Sequence, residues 1–299
     1  MGGRELGDRW ARWMLHDRFG GSEEARRANL SGLEAIRDRV LDNADIRTGD
    51  VLLDVGCGDG LIGFGALDRV GEAGRVIFSD VSQDLLNHCV SRIAALGAGK
   101  QCSTVRSAAE SLSGIASESV DVVTTRSVLI YVEDKRAAFE AMFRVLRPGG
   151  RISLFEPINR RMNLLNSQTL CGLDVGGVEE LASKVRGVFE ETAPSAMVDF
   201  DETDLFLAAQ EVGFEQLQVA LELKDDRVLF ERGGLDWSQI KKTSPNPLAP
   251  TIGEAMDQVL APSEIERLDP HMSERTKEGA HVRAALSFLR AKKPLSETG

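Results

Sequence analysis

The stretch Val51-Leu52-Leu53-Asp54-Val55-Gly56-Cys57-Gly58-Asp59-Gly60 constrains this chain more than any other. A short apolar run carrying one carboxylate reads as a buried strand, and the glycines permit a tight turn that opens a helix. A second apolar run, Val76-Ile77-Phe78-Ser79, ends in Asp80. Together these parts can hold a nucleoside by its ribose, with backbone passing close to the ligand.

Around that motif, strands and helices alternate. The pattern predicts a helix over 22–43, with Ser22 as its cap. Strands follow at 51–55, 75–79, 102–106 and 120–124, with helices at 61–70, 83–96 and 135–146 between them. Arg147-Pro148-Gly149-Gly150 reads as a stop and turn, and 151–155 as the fifth strand. Such regularity implies a mostly parallel sheet with helices on both faces, an α/β doubly wound architecture. After Pro157 the rhythm breaks. Residues 202–212 resume as a helix and 214–223 as a strand, and Val282–Leu289 reads as the final strand or a helix, with the strand favoured. Four divisions follow: a helical N-terminal cap at 1–47, a cofactor-binding core at 48–157, an insert or lid at 158–200, and the rest of the core at 201–299 with an insert near 224–280.

Bulk properties narrow the function. The net charge of −11 disfavours nucleic acid as a partner. No apolar run is long enough for a membrane span. The first residues lack a signal-peptide core, which places the protein in the cytoplasm. Four cysteines, at 57, 89, 102 and 171, show no zinc spacing, so no metal site is expected. Oligomeric state is not legible.

Two readings compete for the glycines. Gly58-Asp59-Gly60-Leu61-Ile62-Gly63 matches the dinucleotide pattern G-x-G-x-x-G, which would make the chain an NAD(P)-dependent oxidoreductase. That pattern wants its first glycine directly after the strand, where Gly56 stands, and Asp54 would face a pyrophosphate unfavourably. The whole phrase, apolar run, Asp, apolar, Gly-x-Gly-x-Gly, resembles motif I of the class I S-adenosylmethionine-dependent methyltransferases. Asp80, the fourth-strand segment from Val120 to Thr125, and Val145-Leu146-Arg147-Pro148-Gly149-Gly150 fall in the matching order. The resemblance is strongest to the small-molecule type, with a core similar to the quinone-biosynthesis methyltransferases.

It implies a seven-stranded Rossmann-like sheet and S-adenosyl-L-methionine as cofactor. Asp54, Gly56, Cys57 and Gly58 would hold its methionine end, and Asp80 both ribose hydroxyls. Val81 and Leu85 would flank the adenine, with Ala108 and Ala109 beside it. Ala108 stands where the family often has an aspartate. Arg126 would hold the methionine carboxylate or an anionic substrate.

For the acceptor, Thr125-Arg126-Ser127-Val128 lacks the Asn/Asp-Pro-Pro-aromatic phrase of base N-methylation, and Arg126 is the wrong charge for a catechol-type metal site. Ser127 stands where arsenite methyltransferases place a thiol. A small-molecule acceptor methylated on O, N or C remains. Three residues are candidates for catalysis: His16 as a base near neutral pH, Tyr131 to orient an acceptor hydroxyl, and Glu156 as a pocket-edge carboxylate. A non-methylating S-adenosylmethionine-binding member of the fold is the further alternative.

Overall fold

The structure is a computed structural model that describes residues 8–228 and 236–296. Residues 1–7 and part of the 224–280 insert therefore lie outside the described residues. Among the described residues, nine strands run in chain order: β1 (Val51–Val55), β2 (Arg75–Asp80), β3 (Cys102–Arg106), β4 (Val120–Arg126), β5 (Leu146–Pro157), β6 (Thr169–Leu170), β7 (Leu173–Asp174), β8 (Glu215–Val228) and β9 (Ala280–Lys292). Seven of them form one sheet in the order β3-β2-β1-β4-β5-β9-β8. Strands β1 to β5 are parallel, and β9 runs antiparallel to β5. β6 and β7 form a separate hairpin. This is the expected doubly wound, mostly parallel seven-stranded sheet.

β1 is buried along its whole length, as a central strand covered on both faces must be. Its order in the sheet puts β2 on one side and β4 on the other, so Asp54 lies opposite Thr124, and Val55 opposite Ser79. Helix Leu61–Val70 packs Ile62, Ala66 and Val70 into a core shared with Val76, Phe78 and Leu86. Gly63 permits this closeness, because a Cβ there would stand 2.3 Å from the Phe78 ring.

One predicted break proves to be strand. Leu146 pairs with Val120 and Arg151 with Val122, so Arg147-Pro148-Gly149-Gly150 is an irregularity inside β5. The end of the chain holds it extended: Gly149 N–H donates to the Lys293 carbonyl, and Lys293 N–H donates to that of Gly150. That partner lies about 140 residues away, beyond any local reading.

The described chain forms two compact units. One holds Leu33–Ile158, Ser195–Glu222 and the segment from Leu286 onward, with most of the main sheet. The other gathers the segment up to Gly32, Asn159–Pro194 and Leu223–Ala285. It has its own core, in which Leu181, Ala182 and Val185 of helix Glu179–Thr192 meet Trp237, Met256, Leu268 and Met272.

Near the middle of β5 in the sheet unit, Arg151 is buried. It donates from Nε to the Ala44 carbonyl and pairs with Asp50, which also accepts from Arg47 N–H. Removing one member of a buried pair strands the other charge. We expect Arg151→Leu to lower unfolding free energy by about 3 kcal/mol or more, read by urea denaturation.

Candidate active site

The carboxyl ends of β1, β2, β4 and β5 carry the candidate residues of the sheet unit. This is where open parallel sheets place ligands. The turn after β1 is built from left-handed backbone, with Gly56 at φ 61°, Gly58 at 56° and Gly60 at 83°. At Gly56 a side chain is excluded twice, because a Cβ would also lie 2.4 Å from Val128. Cys57 N–H donates to the Ser79 carbonyl, stitching the turn to β2. The Cys57 thiol is buried beside Cys89, which together with desolvation pushes it well above its usual range, so Cys57 faces inward as packing.

Asp80 ends β2 and is 6% exposed. Its Oδ2 accepts from Gly58 N–H at 2.9 Å and its Oδ1 from Ser82 N–H at 2.9 Å. Ser82 in turn caps helix Gln83–Ala95 by accepting from Leu85 N–H. Val81, beside it, is an exposed apolar side chain suited to a planar base, whereas Leu85 is 3% exposed and packs beneath.

Asp54 is 1% exposed. Its Oδ2 accepts from Gly63 N–H at 3.0 Å, near the start of the following helix, and its Oδ1 from Thr124 Oγ1 at 3.1 Å. Burial pushes this carboxyl up to about 7, against the opposing effects of Thr124, Gly63 and the Arg126 charge. Arg126 ends β4, and Ser127 follows in the left-handed region at φ 57°. On the β3 side, Ser107 N–H donates to the Asp80 carbonyl, which sets Ala108 and Ala109 next to that strand end.

Glu156 is buried, being 1% exposed. Its Oε1 accepts from Val128 N–H (3.0 Å) and Leu129 N–H (2.9 Å), and its Oε2 from Ile130 N–H (3.2 Å). Leu129 and Ile130 belong to the single helical turn Leu129–Tyr131 and Val128 is its N-cap, so Glu156 anchors the loop that carries Tyr131. Desolvation pushes it to about 7, despite those three hydrogen bonds and the Lys135 charge. His16 belongs to the other unit, exposed at the end of helix Arg9–Leu15.

Sequence reasoning missed Thr124 and Ser82. Ser82 had a visible signal, a cap residue just ahead of a helix. Thr124 had none, since only strand order sets it opposite Asp54.

The donor set suits a phosphate-free nucleoside with a cationic tail. Two carboxylates flank the glycine turn where a pyrophosphate would have to lie, and one of them, Asp80, ends β2. No His/Cys/Asp/Glu cluster able to hold a metal ion occurs among the described residues.

Comparison with known proteins agrees. A family model described as a methyltransferase domain matches residues 52–150. The ubiquinone/menaquinone biosynthesis C-methyltransferase UbiE of Cronobacter sakazakii is 30% identical over 185 residues, covering 60% of this chain and 71% of that protein. Nocamycin O-methyltransferase of Saccharothrix syringae is 34% identical over 148 residues, covering 48% and 50%. Among solved structures, phosphoethanolamine N-methyltransferase 2 of Haemonchus contortus in complex with S-adenosyl-L-methionine shares the fold at TM-score 0.53 and 15% identity, covering 95% of this chain and 56% of that one.

The raised Glu156 carboxyl sets a pH dependence. A folded-state value of about 7 against an ordinary 4.5 means its protonated form is favoured in the native state. That stability is complete below about 4.5 and is lost as pH rises through 7, a swing of about 3 kcal/mol. Glu156→Gln removes it, so the Tm difference between native protein and variant should shrink or reverse in the variant's favour from pH 5 to pH 8, read by differential scanning calorimetry.

Proposed function

The chain belongs to the class I S-adenosylmethionine-dependent methyltransferases, and from that premise we propose that it methylates an O, N or C atom of a small organic acceptor in the cytoplasm. The observation that carries this reading is Asp80, a buried carboxylate at the end of β2 bonded to the glycine turn of β1.

When bound, S-adenosylmethionine supplies an electrophilic methyl carbon on a sulfonium, open to in-line displacement by the acceptor. The residues here bind and align. Asp80 would accept from both ribose hydroxyls, a charge-assisted pair of contacts. Val81 would cover one face of the adenine, with Ala108 and Ala109 backbone at its edge. Gly56 and Gly58 let the main chain approach the methionine portion. Asp54 acts as a positioning residue, fixing that turn through Gly63, and Arg126 supplies a cation for the methionine carboxylate. Glu156 positions the loop of Tyr131, whose hydroxyl is the group proposed to orient the acceptor. Alignment supplies most of the rate in such a displacement, so little dedicated acid–base machinery is needed.

Support for a small acceptor comes from the relatives. One is a C-methyltransferase of quinone biosynthesis and another an O-methyltransferase, so a shared core serves different acceptor atoms. The whole described chain contains no helix long and apolar enough to cross a membrane.

Calorimetric titration with S-adenosylhomocysteine tests the reading. We expect saturable one-to-one binding, weakened about 100-fold or more in Asp80→Ala through loss of charged hydrogen bonds. Absence of binding at millimolar ligand, or binding of NADH in its place, refutes it. Mass spectrometry of acceptor pools with the cofactor then separates a transferase from a non-methylating binder.

A further inference from the structure

In the sheet unit, Arg290 and Lys292 of β9 line a cavity of about 250 Å³ whose other walls include Asn43, Arg151, Gln216 and Gln218. We propose that this cavity is a binding site for a short dicarboxylate, with one carboxylate on Arg290 and the other on Lys292. The site goes beyond the methyl-transfer reading and does not rest on it.

Strand geometry sets the two cations side by side. Residues two apart on a strand share a face and stand about 6.6 Å from one another. Arg290 and Lys292 are such a pair, and Lys292 lies opposite Arg151 across the β5–β9 ladder, on that same face. A four- or five-carbon dicarboxylate can put one head on each of two cations at that spacing. A single carboxylate cannot.

The charges around the cavity do not cancel. Arg151 is paired with Asp50, and the two acids of the lining, Asp42 and Asp45, are engaged by Arg69 and Arg47. Arg290 donates from Nε at 2.9 Å and from Nη2 at 2.6 Å to Gln218 Oε1. That amide oxygen holds the guanidinium without neutralising it. Lys292 has no hydrogen-bond or ion-pair partner among the described residues. Two cations therefore stand uncompensated in one small cavity. On a chain of net charge −11 they supply a local attraction for an anion that the surface as a whole repels.

Place separates this cavity from the cofactor edge. Arg151 is level with Val122 of β4 and Leu52 of β1, near the amino ends of those two strands. Asp54 and Asp80 lie toward the carboxyl ends of theirs. A volume just below the ~300–1,000 Å³ of drug-sized pockets suits a ligand of few atoms.

The test is calorimetric titration of the full protein with glutarate, in saturating S-adenosylhomocysteine, against its monoamide, glutaramate. We expect one saturable site for glutarate, with the monoamide about tenfold weaker through loss of one charged contact. A similar loss is expected in Arg290→Met and in Lys292→Met, with S-adenosylhomocysteine binding unchanged in both. The glutarate–glutaramate comparison uses unaltered protein, so it stands even where a variant folds poorly. Equal affinity for glutaramate, no saturable heat, or unchanged affinity in a folded Arg290→Met protein overturns the proposal. Inorganic phosphate binding more tightly than glutarate makes the site one for a single-headed anion and overturns it too. So does glutarate binding only when S-adenosylhomocysteine is withheld, which places the probe in the cofactor site.

Discussion

The arrangement at the sheet's carboxyl edge depends on carboxylates buried where neighbouring parallel strands stop. Taking such a group out of water costs several kcal/mol, and only donors aimed at it make the burial tolerable. Asp80 and Asp54 meet that demand with backbone N–H groups of the turns they must organise. Each turn is thereby held from two strands at once. The glycines supply the left-handed backbone that brings those N–H groups into reach. Without the carboxylates, the same glycines would leave a loose loop.

Glu156 repeats the device one strand further along the sheet, gathering three successive N–H groups after β4. The elevation of Asp54 and Glu156 to about 7 is the residue of that contest, with desolvation outweighing the hydrogen bonds. These acids are spent on geometry, which suits a reaction where alignment matters more than proton transfer. The sulfonium carries its own leaving group, and the protein has chiefly to hold two reactants in line.

The second unit has its own hydrophobic centre around Trp237, Leu268 and Met272, made of segments far apart in the chain. A shared core with divergent additions is how one fold serves many acceptors.

Local pattern determined the glycine turn, the strand rhythm up to Phe155 and the place of Asp80 at the end of its strand, because each is a short-range property of apolar period and turn chemistry. The same pattern misread Arg147–Gly150 as a break, since its strand pairing comes from the chain's last residues. It gave no sign of the N–H groups that Glu156 gathers and was silent on Thr124, for both depend on which strands become neighbours. Tertiary structure alone decided where each buried carboxylate finds its donors. Hydrogen bonds act across three ångströms of space, and the residues that share that space here lie as far as 101 positions apart in sequence.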